Sequence, residues 1–219
     1  MSLNFHVVFS KKDLHLDLHP FVRTLVRLKV PIIQIREKNL TLNELNLYLQ
    51  QFECYLNAET KFLINDYWKL ARKNKLAGYH LGQSDLPSAL KEKIDLNQHA
   101  VFGLTLENYR DFENCKHLSP TYFGLSSIYS TATKPEAKPF WSKEQVSKLR
   151  AETSIPLIGI GGVNLKNLKQ TLKLGIDGVA MSSQITGVKS LFELERTVIQ
   201  IMEIMKGWEN EENSINRRF

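Results

Sequence analysis

At 219 residues the chain has room for one large domain or two small ones, and its 42 % hydrophobic and 24 % charged content suits an ordinary globular protein with a sizeable core. The net charge of +6 and a pI near 9.2 favour small anionic ligands. They do not point to nucleic acid, because no run of Lys and Arg is interleaved with exposed aromatics. No apolar stretch approaches the ~18 residues of a membrane span, and Met1 to Asn4 does not read as a signal peptide. Cys54 and Cys115 lie far apart and form no metal or redox motif, so a reduced, cytoplasmic protein is expected. A homo-oligomer is compatible with the sequence and not demanded by it.

In chain order, strands and helices alternate. Phe5 to Phe9 reads as a strand, and Pro20 opens a helical pattern with Phe21, Val22, Leu25 and Leu28 on one side. The second strand ends in Gln34-Ile35-Arg36-Glu37-Lys38. Its period of two puts Ile33 and Ile35 on one face and Gln34 and Arg36 on the other. Thr41 and Glu44 have the spacing of a capping box, opening a long helix with a stripe of Leu42, Leu45, Leu49, Phe52 and Leu56. A third strand, Phe62 to Ile64, runs into Asn65-Asp66. A helix begins at Trp68. The fourth strand, Gly78 to Leu81, runs into Gly82-Gln83-Ser84-Asp85, and a short helix covers Pro87 to Lys91.

The fifth strand is Ala100 to Thr105 with a helix from Glu107 to Cys115, and the sixth is Tyr122 to Leu125. A polar loop from Ser126 to Lys138 follows, and Ser142 caps the next helix. Pro156 to Ile160 is the seventh strand, running into Gly161-Gly162, and its helix spans Leu165 to Leu174 with Gly175 as the C-cap. Gly178 to Met181 is the eighth, followed by Ser182-Ser183. The last helix spans about Ser190 to Met205, and the polar segment from Trp208 to Phe219 is expected to fray. Eight alternating units argue for one α/β domain, a closed (β/α)8 TIM barrel over residues 1–207 with a C-terminal tail at 208–219. A doubly wound open sheet is the alternative, but Ser10-Lys11-Lys12 is not the Gly-rich first turn such a sheet would bring.

In a barrel the chemistry sits on the loops after the strands. Gln34, Arg36, Lys38, Asn65, Asp66, His80, Asp85, Thr105, Thr131, Thr133, Lys134, Gly161, Gly162, Ser182 and Ser183 all fall there. Gly161-Gly162 with Ser182-Ser183 occupies the usual barrel phosphate position, where backbone N–H groups approach an anion closely. A tight turn is the plainer reading of the two glycines. Asp66 and Asp85 among several cations suggest Mg²⁺, which takes one or two carboxylates together with phosphate oxygens. The plainer reading is that each Asp caps the helix behind it. His80 on a barrel strand is either a substrate ligand or a satisfied interior histidine.

Gln34-Ile35-Arg36-Glu37-Lys38, Ile64-Asn65-Asp66, His80-Leu81-Gly82-Gln83-Ser84-Asp85, Thr131-Ala132-Thr133-Lys134-Pro135, Ile158-Gly159-Ile160-Gly161-Gly162 and Asp177 to Ser183 together resemble the thiamine-phosphate synthase family, in the right order from about Phe5 to Ile204. The resemblance implies that a hydroxymethylpyrimidine diphosphate loses pyrophosphate through a pyrimidine cation, which a thiazole phosphate then captures. It implies that Gln34 holds the pyrimidine and that Arg36, Lys38, Asn65 and Lys134 hold the pyrophosphate. Asp66 and Asp85 would bind Mg²⁺, and Thr131 and Thr133 would meet the thiazole. The thiazole phosphate would rest on Ile160, Gly162, Ser182 and Ser183, and the loop from Ser126 to Lys138 would exclude water as a lid.

Two positions depart from the family pattern. Thr105 stands where Ser is usual, so the hydroxyl survives and the extra methyl is expected to crowd the pyrimidine. Ser126-Ser127 replaces a Gly-Pro before Ile128, which is expected to alter the lid. A thiazole tautomerase shares this barrel but uses a histidine where, aligned on Gly103, Glu107 stands here. A non-catalytic barrel that senses a phosphorylated metabolite would need no paired carboxylates.

Overall fold

The computed structural model describes residues 4–56, 59–92, 99–130 and 141–216, with side chains to residue 210. Eight parallel strands close into a barrel in sequence order: β1 (Phe5–Phe9), β2 (Ile32–Ile35), β3 (Lys61–Asn65), β4 (Gly78–Leu81), β5 (Val101–Leu106), β6 (Tyr122–Ser126), β7 (Leu157–Ile160) and β8 (Gly178–Met181). The seam pairs β1 with β8, His6 opposite Ala180 and Val7 opposite Met181. The helices are α1 (Leu18–Arg27), α2 (Leu42–Gln50), α3 (Trp68–Lys73), α4 (Leu86–Lys91), α5 (Tyr109–Cys115), α6 (Lys143–Glu152), α7 (Leu168–Leu172), α8 (Ser183–Thr186) and α9 (Leu191–Asn216). The open-sheet alternative is excluded by the closed seam.

Strand alternation sorts the core into two layers. Val8, Ile32, Leu63, Val101, Tyr122, Ile158 and Ala180 point into the barrel and pack on one another. Val7, Phe9, Ile33, Ile35, Phe62, Ile64, Phe102 and Leu104 point outward and pack under the helices. Period two therefore sends Gln34 inward with Ile32, as the sequence indicates. Burying each large outward residue contributes about 1.5–3 kcal/mol, so the helical shell can support a polar barrel mouth.

Several element ends differ from expectation for local reasons. Pro20 is the third residue of α1, not the first. Its missing N–H still falls among the helix's initial unpaired donors, so nothing is lost. The capping box at Thr41 and Glu44 forms as expected. The helix it opens stops at Gln50, however, and Glu53–Tyr55 tightens into a 3-10 turn. Leu42 is 60 % exposed, and the buried stripe is Leu45, Tyr48, Leu49 and Phe52. Helix α7 starts three residues late because Asn164 and Asn167 bond each other's backbone in the preceding turn.

Gly175 does take a left-handed conformation, φ 92°, behind α7. The short α8 after Ser182 was not anticipated. Helix α9 does not end near Met205 but continues to Asn216, through the segment expected to fray. Trp208 extends the stripe of Leu194, Val198, Ile201 and Met205 and packs on the core, which rewards the extra turns.

Candidate functional site

All strands are parallel, so their C-terminal ends share one rim of the barrel. Two groups of residues meet there. The first is built on β2, β3 and β4. Inward-facing Gln34 is buried and donates from Nε2 to Asn65 Oδ1 at 2.7 Å. That bond leaves Gln34 Oε1 and Asn65 Nδ2 without partners among the described residues.

Just past the strands, Asp66 and Asp85 face each other. Burial raises the Asp66 pKa, the neighbouring Asp85 charge and their hydrogen bond raise it too, and Lys38 and Arg36 pull it back down. The four charged groups thus act on one another across one small volume. Arg36 and Lys38 are exposed, and Asp66 and Asp85 are half-buried.

The capping explanation for the carboxylates does not hold. Asp85 stands at the N-cap of α4 but makes no side-chain capping bond, receiving instead Ser84 Oγ at 3.1 Å. Asp66 is not the N-cap of α3, which is Tyr67, and it takes a left-handed φ of 69°. Asp tolerates that region better than most residues, at a cost. Two carboxylates held together without a capping duty have the character of a cation site. Among the described residues no group of three or more His, Cys, Asp or Glu could hold a metal. The donor set is thus a pair, which suits Mg²⁺ completed by phosphate oxygens and water, and not a cage built by protein alone.

Glu37 was quoted within the motif but given no task. It is only 7 % exposed. Its carboxylate accepts Ser10 Oγ at 2.9 Å and the Lys11 backbone N–H. It ties the loop after β2 to the loop after β1 and so holds the backbone from which Arg36 and Lys38 project. The signal was available: continued alternation turns Glu37 away from its two cationic neighbours.

His80 is the satisfied interior histidine. Its Nδ1 lies 2.9 Å from Tyr122 Oη and its Nε2 2.7 Å from Thr105 Oγ1. Burial, then the charges of His6 and Arg36, push its pKa down to about 3, so the ring is neutral. Both nitrogens are occupied, so the expected substrate contact through them gives way to support of Thr105. Thr105 itself is half-buried at the end of β5, and its carbonyl accepts Gln83 Nε2.

The second group is built on β7 and β8. Gly161 and Gly162 have φ of 96° and 68°. A Cβ on Gly161 would lie 2.3 Å from Ser127 Oγ, and one on Gly162 would lie 2.7 Å from Tyr129 Cβ. The loop after β6 presses on the pair, joined by Ile128 N–H to Ile160 O and Tyr129 N–H to Gly161 O. The Ser126–Ser127 peptide there is cis. Asn164 and Asn167 both donate to Gly162 O, at 3.1 and 2.9 Å, which fixes the turn. Ser182 and Ser183 are exposed where α8 begins. Ile160 is half-buried beside them on the inner layer. Thr131, Thr133 and Lys134 lie outside the described residues.

A family model described as thiamine monophosphate synthase matches residues 5–185. The chain is 33 % identical over 183 residues to a thiamine-phosphate synthase of Syntrophomonas wolfei, covering 83 % of this chain and 87 % of that one. It is 32 % identical over 192 residues to one of Leptospira biflexa, covering 84 % and 91 %. Among solved structures, a thiamine phosphate pyrophosphorylase from Pyrococcus furiosus matches with a TM-score of 0.77 over 94 % of this chain and 96 % of that chain. At 21 % identity this is a likeness of fold alone.

Proposed function

The chain belongs to the thiamine monophosphate synthase family, its activity is thiamine-phosphate synthesis, and from that premise we propose how its residues divide the work. The substrates are small phosphorylated molecules, a hydroxymethylpyrimidine diphosphate and a thiazole phosphate. The C–O bond to the diphosphate breaks with both electrons leaving on oxygen. The thiazole nitrogen then supplies the pair that forms the new C–N bond. Such a reaction asks for stabilisation of negative charge on the departing group more than for a base.

Arg36 and Lys38 receive that charge, with Asn65 Nδ2 as a neutral donor and Lys134 as a further cation. Gln34 Oε1 faces the pyrimidine, held in place by the Gln34–Asn65 bond. Thr131 and Thr133 contact the thiazole. Gly162, Ser182 and Ser183 donate to its phosphate, and Ile160 forms the adjoining apolar wall. Asp66 and Asp85 would hold Mg²⁺, which when bound supplies positive charge against the diphosphate oxygens. The observation that carries this reading is the uncapped Asp66–Asp85 pair beside Arg36 and Lys38.

Cys54 and Cys115 are both free, which fits a cytoplasmic setting, and no described helix is long and apolar enough to cross a membrane. The test is formation of thiamine phosphate from the two purified precursors across a Mg²⁺ titration. The expected result is turnover that rises with Mg²⁺ and is abolished by chelation. Undiminished turnover in chelator would overturn the metal assignment.

A further inference from the structure

Three inward-facing residues on neighbouring strands form a short hydrogen-bonded line: Tyr122 on β6, His80 on β4 and Thr105 on β5. The His80 and Tyr122 rings are stacked at 5.5 Å with only 20° between their planes, and the His6 ring meets Tyr122 edge-on at 4.7 Å. Two glycines make room for them. A Cβ on Gly103 would lie 2.2 Å from Tyr122 Cζ and 2.5 Å from His80 Nδ1, and one on Gly124 would lie 3.2 Å from His80 Cε1. A side chain at Gly103 would displace both rings, so the line depends on that glycine.

The line has a direction. A neutral imidazole has one N–H and one lone pair. Tyr122 is 1 % exposed, and its phenolic O–H has His80 Nδ1 as its hydrogen-bond partner. If Nδ1 carried the proton it would point at Tyr122 Oη, and the buried phenolic hydrogen would be left without an acceptor among the described residues. Buried donors are rarely left so, because nothing repays their lost hydration. The phenol therefore donates to Nδ1, and Nε2–H donates to Thr105 Oγ1. Thr105 Oγ1 then accepts from His80, and its own hydrogen has no acceptor among the described residues.

We infer that Tyr122 and His80 are positioning residues that leave the Thr105 hydroxyl hydrogen free to donate toward the bound pyrimidine, so that the site favours a ring nitrogen with a free lone pair at that point. This rests on the family reading for the identity of the substrate, but the direction of the line does not.

The test has two arms. Nitrogen-15 NMR of His80 in the wild-type protein should show an unprotonated Nδ1 and a protonated Nε2, and a protonated Nδ1 would overturn the inference whatever the substrate. In the second arm, pyrimidine diphosphate is compared with analogues in which each ring nitrogen in turn is replaced by C–H. One analogue should lose about tenfold in kcat/KM with the wild type, the scale of one neutral hydrogen bond. Tyr122→Phe should reduce that discrimination to within about twofold, leave the KM for thiazole phosphate unchanged, and give a His80 spectrum of mixed tautomers. Thr105→Val should also erase the discrimination, while Thr105→Ser should keep it. Equal discrimination by wild type and Tyr122→Phe would overturn the inference. Failure of pyrimidine diphosphate to bind at all would instead strike the family reading and leave the NMR result standing. Should Tyr122→Phe fold poorly, the wild-type NMR and the two Thr105 variants decide the matter.

Discussion

The two ends of the barrel mouth are built by different means. At β2 to β4 the site is made of ionised side chains, Arg36, Lys38, Asp66 and Asp85, whose charges act on one another. At β7 and β8 it is made of backbone, two left-handed glycines and the serines that open α8. The difference matches the charge that each end meets. A diphosphate that is leaving gains negative charge during the reaction, and mobile, strongly charged groups with a cation answer that change. A thiazole phosphate keeps its charge throughout, so in the proposed assignment fixed N–H dipoles would suffice to anchor it. Losing a group at the first end should therefore lower kcat, and disturbing the second should raise KM.

Asp66→Asn should give the largest effect. Asn tolerates the left-handed backbone at this position as Asp does, so the fold should survive, which thermal unfolding would check. Turnover should fall by about two orders of magnitude or more, the scale of losing a major charge stabiliser. Full activity at low Mg²⁺ would remove the carboxylate pair from the mechanism.

The second end calls for a gentler probe than Gly162. Any side chain at Gly162 would be strained by its φ and would strike Tyr129, mixing damage with function. Ser183→Asp places an anion at the exposed first residue of α8, where a carboxylate is compatible with the helix. Thiazole phosphate affinity should drop by about tenfold or more, while diphosphate binding persists, as calorimetric titration of each ligand would show. Equal loss of both would mean that the two ends are not separable.

Much of this contrast is visible in the sequence because it is written in residue types that barrels seldom place on strand ends without purpose. The inward place of Gln34 and the place of Asn65 and Asp66 at the end of β3 were legible through period two and the strand count, whereas the tasks proposed for them come from the resemblance. The turn of Glu37 away from Arg36 and Lys38 was open to the same alternation, but its tie to Ser10 and Lys11 was not, because it depends on β1 lying beside β2. Tyr122 was hidden for a similar reason: it opens a strand like any core aromatic, and only the closure of β4, β5 and β6 brings it to His80. Asp177 shows the converse. It belongs to a quoted motif, yet its carboxylate accepts the Leu157 N–H at 2.7 Å and pairs with Arg150 just before β8, away from the mouth. A motif can mix chemistry with strand anchoring, and spacing alone does not separate them.

The carboxylate pair should also leave a mark on stability. Asp66 has a raised pKa in the fold, with burial the first cause and Asp85 the second. The unfolded chain thus gives up this proton more readily than the folded one. Between the ordinary value of 3.8 and the raised folded value, the folded state holds more of that proton, so this group's contribution falls as pH rises through the window. Without metal, Asp66→Asn should flatten that part of the stability–pH curve measured by denaturant unfolding. Added Mg²⁺ should offset the loss in the wild type and not in the variant. A curve identical in both proteins would mean that neither burial nor Asp85 raises the Asp66 pKa in solution.

The smallest effect expected is at Glu107, and it separates the synthase from its tautomerase relative. Glu107 is exposed just past β5, and its backbone N–H donates to Asp111 at 2.8 Å as part of the turn into α5. It stands where the relative keeps its catalytic histidine. In C–N bond formation by capture of a cation, the entering thiazole nitrogen carries no proton and Glu107 has none to remove. Glu107→Gln should leave turnover within about threefold of wild type, whereas loss of a true general base costs on the order of a hundredfold or more. The variant keeps its Asp111 bond, because that bond is made by the backbone, so the turn into α5 should remain in place. Steady-state kinetics of Glu107→Gln beside Asp66→Asn would settle whether charge stabilisation or proton transfer does the work. A severe defect at Glu107 with a mild one at Asp66 would shift proton transfer to the centre of the mechanism and leave the charged rim of β2 to β4 as a binding device only.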